Sequence, residues 1–389
     1  MIPSRKSKAV GLFSGGLDSI LAAKLITEQG VNVVALYFRS PFAVPGRIAS
    51  DERLSKMAQL VGASVVSLDL GDDYLKLVKT PQFGYTRQMA PCVDCILYML
   101  IKAKELAREI RADFVFTGEV VGQRAVCQNK RALKNIERAA GLEGRLVRPL
   151  SAKLLEPTIP ELTGLVRRER LLDIKGRSRR RQIRLAHDFG FFDYPIPGTG
   201  CMLLDKNFAT RARELIAQDQ FTPADIELLK HGRHFRLDSG AKVIVGRNEQ
   251  ENKVLEGLVQ PDDLVCKPVE VMGPVVVLRS KKKTKKDTEI AARIGARFSD
   301  GTGGKAMKMA CADKVLSVKP YTDDDIAPWR IRFVEPKPEP AKPDKAGVRR
   351  PESGAAPDSP VCVQRTGRPV PIPDSRRDSR ALSAGEKGK

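Results

Sequence analysis

The chain has 389 residues, 42% of them hydrophobic, which leaves room for two packed domains and a tail. Lys and Arg number 68 against 47 Asp and Glu, a net charge of +21 that favours a polyanionic partner or an anionic surface. Met1 to Lys8 has no apolar stretch behind it, and no apolar run reaches the length of a membrane span, so neither a secretory leader nor a membrane partner is expected.

Ala9 to Phe13 is an apolar run that reads as a short buried strand. It breaks at Ser14-Gly15-Gly16, and a helical pattern starts near Asp18 with Ile20, Leu21, Ala23, Lys24 and Leu25. Strand, glycine turn and helix N-terminus make an anion site, because glycines let the backbone approach and the first helical amides have no partner of their own. The spacing is not that of a Walker loop, which needs a Gly-Lys-Ser/Thr ending.

Val31 to Phe38, Ser64 to Leu70, Asp113 to Thr117 and Arg145 to Leu150 read as further strands. Asp51 to Gly62, Ile96 to Ile110 and Asn129 to Ala140 read as the helices between them. This alternation predicts an α/β fold with a doubly wound parallel sheet, whose ligands sit beyond the carboxyl ends of the strands. Ser14 to Ser19, Tyr37-Phe38 and Thr117 to Gln128 all fall at that edge.

Residues 151–217 are more helical and close the first domain, expected over 1–217. The segment 167–184 holds nine Lys/Arg and two acids, and Arg177, Arg179, Arg180 and Arg181 open a helix there. Such a run either holds phosphates or is a solvated face. A smaller α+β domain is expected over 220–335, with a hairpin of Phe235 to Leu237 and Lys242 to Val245 around Ser239-Gly240. Helices follow from Gly246-Arg247-Asn248 to about Leu258 and from Thr288 to Phe298, with a strand at Val275 to Leu278 between them. Residues 336–389 contain ten prolines, with 12 Lys/Arg against 7 Asp/Glu, and read as a disordered basic tail.

Ser14-Gly15-Gly16-Leu17-Asp18-Ser19 resembles the pyrophosphate loop of the PP-loop ATP-pyrophosphatases, a family of the adenine nucleotide alpha hydrolase-like fold. Thr117-Gly118-Glu119-Val120-Val121-Gly122-Gln123, then Gln128 and Arg148-Pro149-Leu150, resembles the ATP domain of the tRNA 4-thiouridine synthases over about residues 9–205. That resemblance implies ATP held by Ser14, Gly15, Gly16, Asp18 and Ser19, bordered by Tyr37 and Phe38 and closed by Gly118, Gln123 and Gln128. It also implies Mg²⁺ near Asp18 and tRNA as substrate. No counterpart of that family's RNA-binding THUMP region is expected before the loop, nor a rhodanese domain behind it. Arg233-His234-Phe235-Arg236, Val245-Gly246-Arg247-Asn248, Asn252 and Gly273-Pro274-Val275 resemble the NFACT-R RNA-binding domain over about 233–318. It supplies an RNA handle in which Arg247 takes part, beside Arg177, Arg179, Arg180 and Arg181.

Seven cysteines over this length fit a reducing, cytoplasmic setting, with thiols or metal ligands rather than a disulfide framework. Cys92 and Cys95 form a C-x-x-C before the Ile96 helix, and Cys201 lies in Pro197-Gly198-Thr199-Gly200-Cys201. The three resemble the cysteines of tRNA thiolation enzymes that hold a 4Fe–4S cluster. A second reading is a persulfide pair of Cys95 and Cys201, as in 2-thiouridylases. Structural zinc with Cys127 as fourth ligand and simple buried thiols stay open. Cys266, Cys311 and Cys362 have no pattern that assigns them a role, and His187, His231 and His234 show no metal-ligand spacing. The expected function is ATP-dependent thiolation of a tRNA uridine or cytidine, with Asp18, Cys95 and Cys201 catalytic and a sulfide or persulfide carrier as sulfur donor. The alternatives are an RNA- or ribosome-binding factor with a vestigial ATP domain, and another PP-loop tRNA-modifying ligase or amidotransferase.

Overall fold

Apolar runs such as Ala9-Val10 and Val33 to Leu36 need cover on both faces, and parallel sheets provide it. In the computed structural model, β1 (Lys8–Leu12), β2 (Asn32–Arg39), β3 (Ala63–Asp69), β4 (Phe114–Phe116) and β5 (Leu146–Val147) form one sheet, ordered β3-β2-β1-β4-β5. Every pairing is parallel, and Val10 lies opposite Val34 on one side and Val115 on the other. The structure describes residues 6–45, 51–194, 200–282, 284–301 and 303–333. The turn residues Pro197 to Thr199 and the expected tail at 336–389 lie outside them.

The connections are α1 (Leu17–Thr27), α2 (Asp51–Leu60), α3 (Asp72–Lys79), α4 (Cys92–Glu109) and α5 (Lys130–Ala139). On one face of the sheet α1 and α2 bury Leu21, Ile26, Leu54 and Met57. On the other, α4 and α5 bury Leu100, Ala103 and Ile136 against Val10, Leu36 and Val115. The doubly wound expectation is met. The sequence reading leaves 72–79 unassigned. It is a helix, α3, because Tyr74, Leu75 and Val78 share one buried stripe and pack with Phe42 and Phe208. Beyond β5 come α6 (Ile159–Leu162), α7 (Arg180–Asp188), α8 (Lys206–Ala217) and α9 (Pro223–Leu228).

A second sheet contains β6 (Arg233–Arg236), β7 (Lys242–Val245), β8 (Leu264–Pro268), β9 (Val276–Arg279), β10 (Met307–Cys311) and β11 (Lys314–Val318). Its order is β11-β10-β8-β9-β7-β6 and all its pairings are antiparallel. α10 (Glu249–Gly257), α11 (Lys285–Arg297) and α12 (Asp323–Ile326) accompany it. α11 lays Ala291 and Ile294 on a core with Val243, Val276 and Met309. Cys266 and Cys311 face each other in the β8–β10 register and are joined as a disulfide. The sequence reading assigns these two no role and expects thiols or metal ligands rather than disulfides, and this bond departs from that expectation. The two lie in strands that the sequence reading leaves unassigned, so nothing in it brings them together.

The two sheets meet through α8 and α9. Glu214 of α8 accepts a hydrogen bond from Arg236 at 2.6 Å and pairs with Lys242 at 3.4 Å. Arg279 of β9 is held by Asp225 of α9 at 2.9 Å and by Asp263 at 2.6 Å. Among the described residues no helix is long and apolar enough to cross a membrane.

Candidate nucleotide and thiol site

β1 ends at Leu12, and the chain turns through Ser14-Gly15-Gly16 into α1. Gly15 has φ +69°, a backbone conformation that a side chain would strain. Gly16 is the N-cap and contributes no side-chain cap; the Ser19 amide donates to the Gly16 carbonyl at 3.0 Å, which leaves the Leu17 and Asp18 amides open to an anion. The Ser19 hydroxyl donates to the Gly16 carbonyl at 2.8 Å, and the Ser14 and Ser19 oxygens lie 3.3 Å apart. Asp18 sits in that first turn.

The end of β4 closes on this loop. A Cβ on Gly118 would meet Asp18 O at 2.6 Å and Ser19 N at 2.8 Å, so only glycine lets the two loops touch. Glu119 behind it is buried and accepts hydrogen bonds from Thr117 at 3.1 Å and from Arg148 at 3.2 Å. Arg148 also donates to Glu137 at 2.6 Å. The Glu119 and Arg148 motifs are therefore one buried ionic frame rather than reacting groups. Gln123 Nε2 donates to Asp18 Oδ2 at 2.7 Å, and Arg179 Nη2 lies 3.8 Å from the same oxygen.

These groups line a cavity of about 480 Å³. Tyr37, Phe38, Gln123, Gln128 and Arg179 line it with the loop, and so do Cys92, Cys95, Cys127 and Cys201. Cys92 and Cys95 are brought there by the first turn of α4, whose buried Asp94 accepts from the Gln82 and Phe83 amides. Cys201 arrives by a bridge to Ala43, where Met202 N donates to Phe42 O at 2.7 Å. The Tyr74 hydroxyl lies 3.1 Å from Cys95 Sγ. Burial pushes the Cys95 thiol up to about 12 and those of Cys127 and Cys201 up to about 11, and burial likewise raises Tyr74. The thiols are thus neutral at pH 7 when nothing is bound.

The site residues expected from the sequence come together, with two additions and one relocation. Arg179 leaves the basic run and turns into the cavity, whereas Arg177, Arg180 and Arg181 stay exposed outside its lining, Arg181 paired with Asp173 at 2.7 Å. Arg247 lies in the second domain, paired with Glu251. Arg124 and Tyr74 line the cavity without any sequence signal that singles them out.

Three buried polar atoms at this site have no partner: Asp18 Oδ1, Gln128 Oε1 and Arg179 Nε. An unpartnered carboxylate oxygen beside open amides suits a divalent cation with phosphates, so the loop fits Mg²⁺ and a nucleoside triphosphate. Cys92, Cys95 and Cys201 supply an all-sulfur donor set suited to iron. Among the described residues, no three such side chains are gathered as a metal centre.

Residues 4–153 match the family model described as "Thiamine biosynthesis protein (ThiI)". Residues 232–330 match the "NFACT protein RNA binding domain". The chain is also similar to a curated relative, "tRNA-specific 2-thiouridylase MnmA 1" of Clostridium tetani, 29% identical over 131 residues, which are 30% of this chain and 35% of the relative. The chain therefore spans about a third of that relative's length. Among solved structures it is similar to a 4-thiouridine synthetase–RNA complex with bound ATP, with 19% identity, TM-score 0.33, and coverage of 58% of this chain and 52% of that one. It is also similar to a predicted subunit of tRNA methyltransferase from Methanocaldococcus jannaschii, with 15% identity, TM-score 0.32, and coverage of 56% and 91%.

Proposed function

We propose that the protein is an ATP-dependent tRNA sulfurtransferase. One observation carries the reading: a single cavity is lined both by the pyrophosphate-type loop and by Cys92, Cys95 and Cys201. The ThiI-like match over 4–153 and the thiouridylase relative support the chemistry, and the RNA-binding family match over 232–330 supports RNA as the partner. The loop and the α1 N-terminus hold the triphosphate of ATP, with Tyr37 and Phe38 along the nucleoside. A carbonyl oxygen of a tRNA uridine or cytidine attacks the α-phosphate, and pyrophosphate leaves. Asp18 Oδ1 and the loop would hold Mg²⁺, which offsets the charge on that leaving group.

Sulfur then displaces AMP from the activated carbon. Cys92, Cys95 and Cys201 would be the ligands of a 4Fe–4S cluster, which would supply iron to carry the sulfide that comes from the donor. A second reading rests on the same cavity, which Cys95 and Cys201 both line. In it, a persulfide on Cys95 or Cys201 attacks through its outer sulfur, and the other cysteine releases the thiolated base by closing a disulfide. Arg177, Arg180, Arg181 and Arg247 take RNA phosphates, and the reaction belongs in the cytoplasm.

The test is full-length protein with ATP, Mg²⁺, unmodified tRNA and, in parallel reactions, sulfide or a persulfide donor, followed by AMP, pyrophosphate and nucleoside mass analysis. Equal AMP and pyrophosphate with a thionucleoside is the expected result. ADP as product, or nucleotide turnover with no RNA product, overturns the reading.

A further inference from the structure

Gln182 lies on α7, is fully buried, and is absent from every motif of the site. Its Nε2 donates to Gln123 Oε1 at 3.3 Å, and Gln123 Nε2 in turn donates to Asp18 Oδ2 at 2.7 Å. An amide has one donor end and one acceptor end. With its oxygen taken by Gln182, Gln123 can offer Asp18 only its N–H. That bond anchors Oδ2 and leaves Oδ1, which is buried and without a partner, as the oxygen available to a cation. Arg179 begins the same helix as its N-cap and reaches Asp18 as well.

We propose that Gln182 is a positioning residue that fixes the Asp18 carboxylate for its cation by locking the orientation of the Gln123 amide. The inference rests on the reading of the loop as an ATP site. α7 also carries Arg180 and Arg181 on its exposed side, so one helix presents arginines to solvent and reaches toward Asp18 on its inner side.

The test is calorimetric titration of the full chain with α,β-methylene-ATP, which cannot be cleaved to AMP, at a series of Mg²⁺ concentrations. Wild type should bind the analogue more tightly as Mg²⁺ rises. Gln182→Leu removes one neutral hydrogen bond, so the Mg²⁺ needed for half of that tightening should rise about threefold to tenfold. Gln182→Glu should shift it further, because an acceptor-only carboxylate turns the Gln123 amide around and aims its oxygen at Asp18. The melting temperature of Gln182→Leu should not fall, since leucine fills the site and removes the unpartnered Gln182 Oε1. Wild-type Mg²⁺ dependence in Gln182→Leu, or equal effects of the Leu and Glu variants, overturns the relay while leaving the ATP site intact. An analogue that fails to bind wild type overturns the ATP reading, and the relay with it.

Discussion

The two sheets treat their polar groups differently. Around the parallel sheet, Asp18 Oδ1, Gln128 Oε1, Arg179 Nε and Gln182 Oε1 are all buried without partners, and all belong to the cavity or the helix behind it. Around the antiparallel sheet, charge is matched within the protein: Arg279 has Asp225 and Asp263, Arg247 has Glu251, and Arg236 and Lys242 share Glu214. Its one comparable orphan among the described residues is His234 Nδ1, on a buried ring whose other nitrogen meets His231 O at 2.7 Å. Desolvation holds that ring neutral. A buried polar atom without a partner costs stability, so a cluster of them marks a place completed by a ligand. The polar groups around the parallel sheet leave a place for a ligand, whereas the charges of the antiparallel sheet are matched within the protein, in part by Glu214 of α8.

The largest break in that contrast should come from Asp18→Asn. It removes the charge whose free oxygen suits the cation and leaves the packing alone. AMP and pyrophosphate formation should fall on the order of a hundredfold or more. RNA affinity, which the proposal assigns to the antiparallel-sheet region and the exposed arginines, should stay near wild type in a filter-binding assay. Parallel loss of RNA binding would mean that the two domains do not divide the work.

Next come the thiols. Cys95→Ser and Cys201→Ser should stop sulfur insertion while leaving AMP formation in place, because the loop does not use them. Cys92→Ser separates the two sulfur chemistries. Under the cluster reading, anaerobically purified wild type contains iron and acid-labile sulfide, and this variant loses both along with activity. Under the persulfide reading it stays active without iron. Iron-free wild type that thiolates tRNA anaerobically would sink the cluster.

A smaller effect belongs to the exposed arginines. Replacing Arg177, Arg180 and Arg181 with Gln should weaken tRNA binding and lower its salt slope by about 1 for each lost phosphate contact. Arg179 is left out because it faces Asp18. An unchanged slope would make the run a solvated face.

These contrasts were unevenly legible in the sequence. The loop Ser14 to Ser19 and the Thr117 to Gln123 stretch could be read because each is a short local motif at the end of an apolar strand. The cysteines could be read only through a family resemblance, since residues 92, 95 and 201 meet by tertiary folding. Gln182 gave no signal at all. It sits in a run dominated by arginine, and its role appears only when α7 packs beside α1. The Cys266–Cys311 bond spans 45 residues and joins two strands whose mixed sequences, Leu-Val-Cys-Lys-Pro and Met-Lys-Met-Ala-Cys, lack a strong alternating pattern.

The finest test is at the junction. Lys242 is buried between Glu214 of α8 and Arg236 of β6, with Asp225 also near, and desolvation lowers its pKa from 10.5 to about 8 despite Glu214. The sign follows from proton counts. Between about pH 8 and 10.5 the unfolded chain keeps this proton and the folded chain has lost it, so the lysine's contribution to stability rises as pH rises through that window. Below pH 8 the folded state carries a desolvated charge. Lys242→Met removes that charge and leaves Glu214 paired with Arg236 at 2.6 Å, so it strands no buried anion. The variant should be as stable as wild type or more stable at pH 7, by up to about 4 kcal/mol. The difference should shrink toward pH 10.5, as seen in urea titrations of both proteins across that range. A variant less stable at pH 7 would show that the lysine holds the junction together, and that the second domain depends on the first for its matched charge.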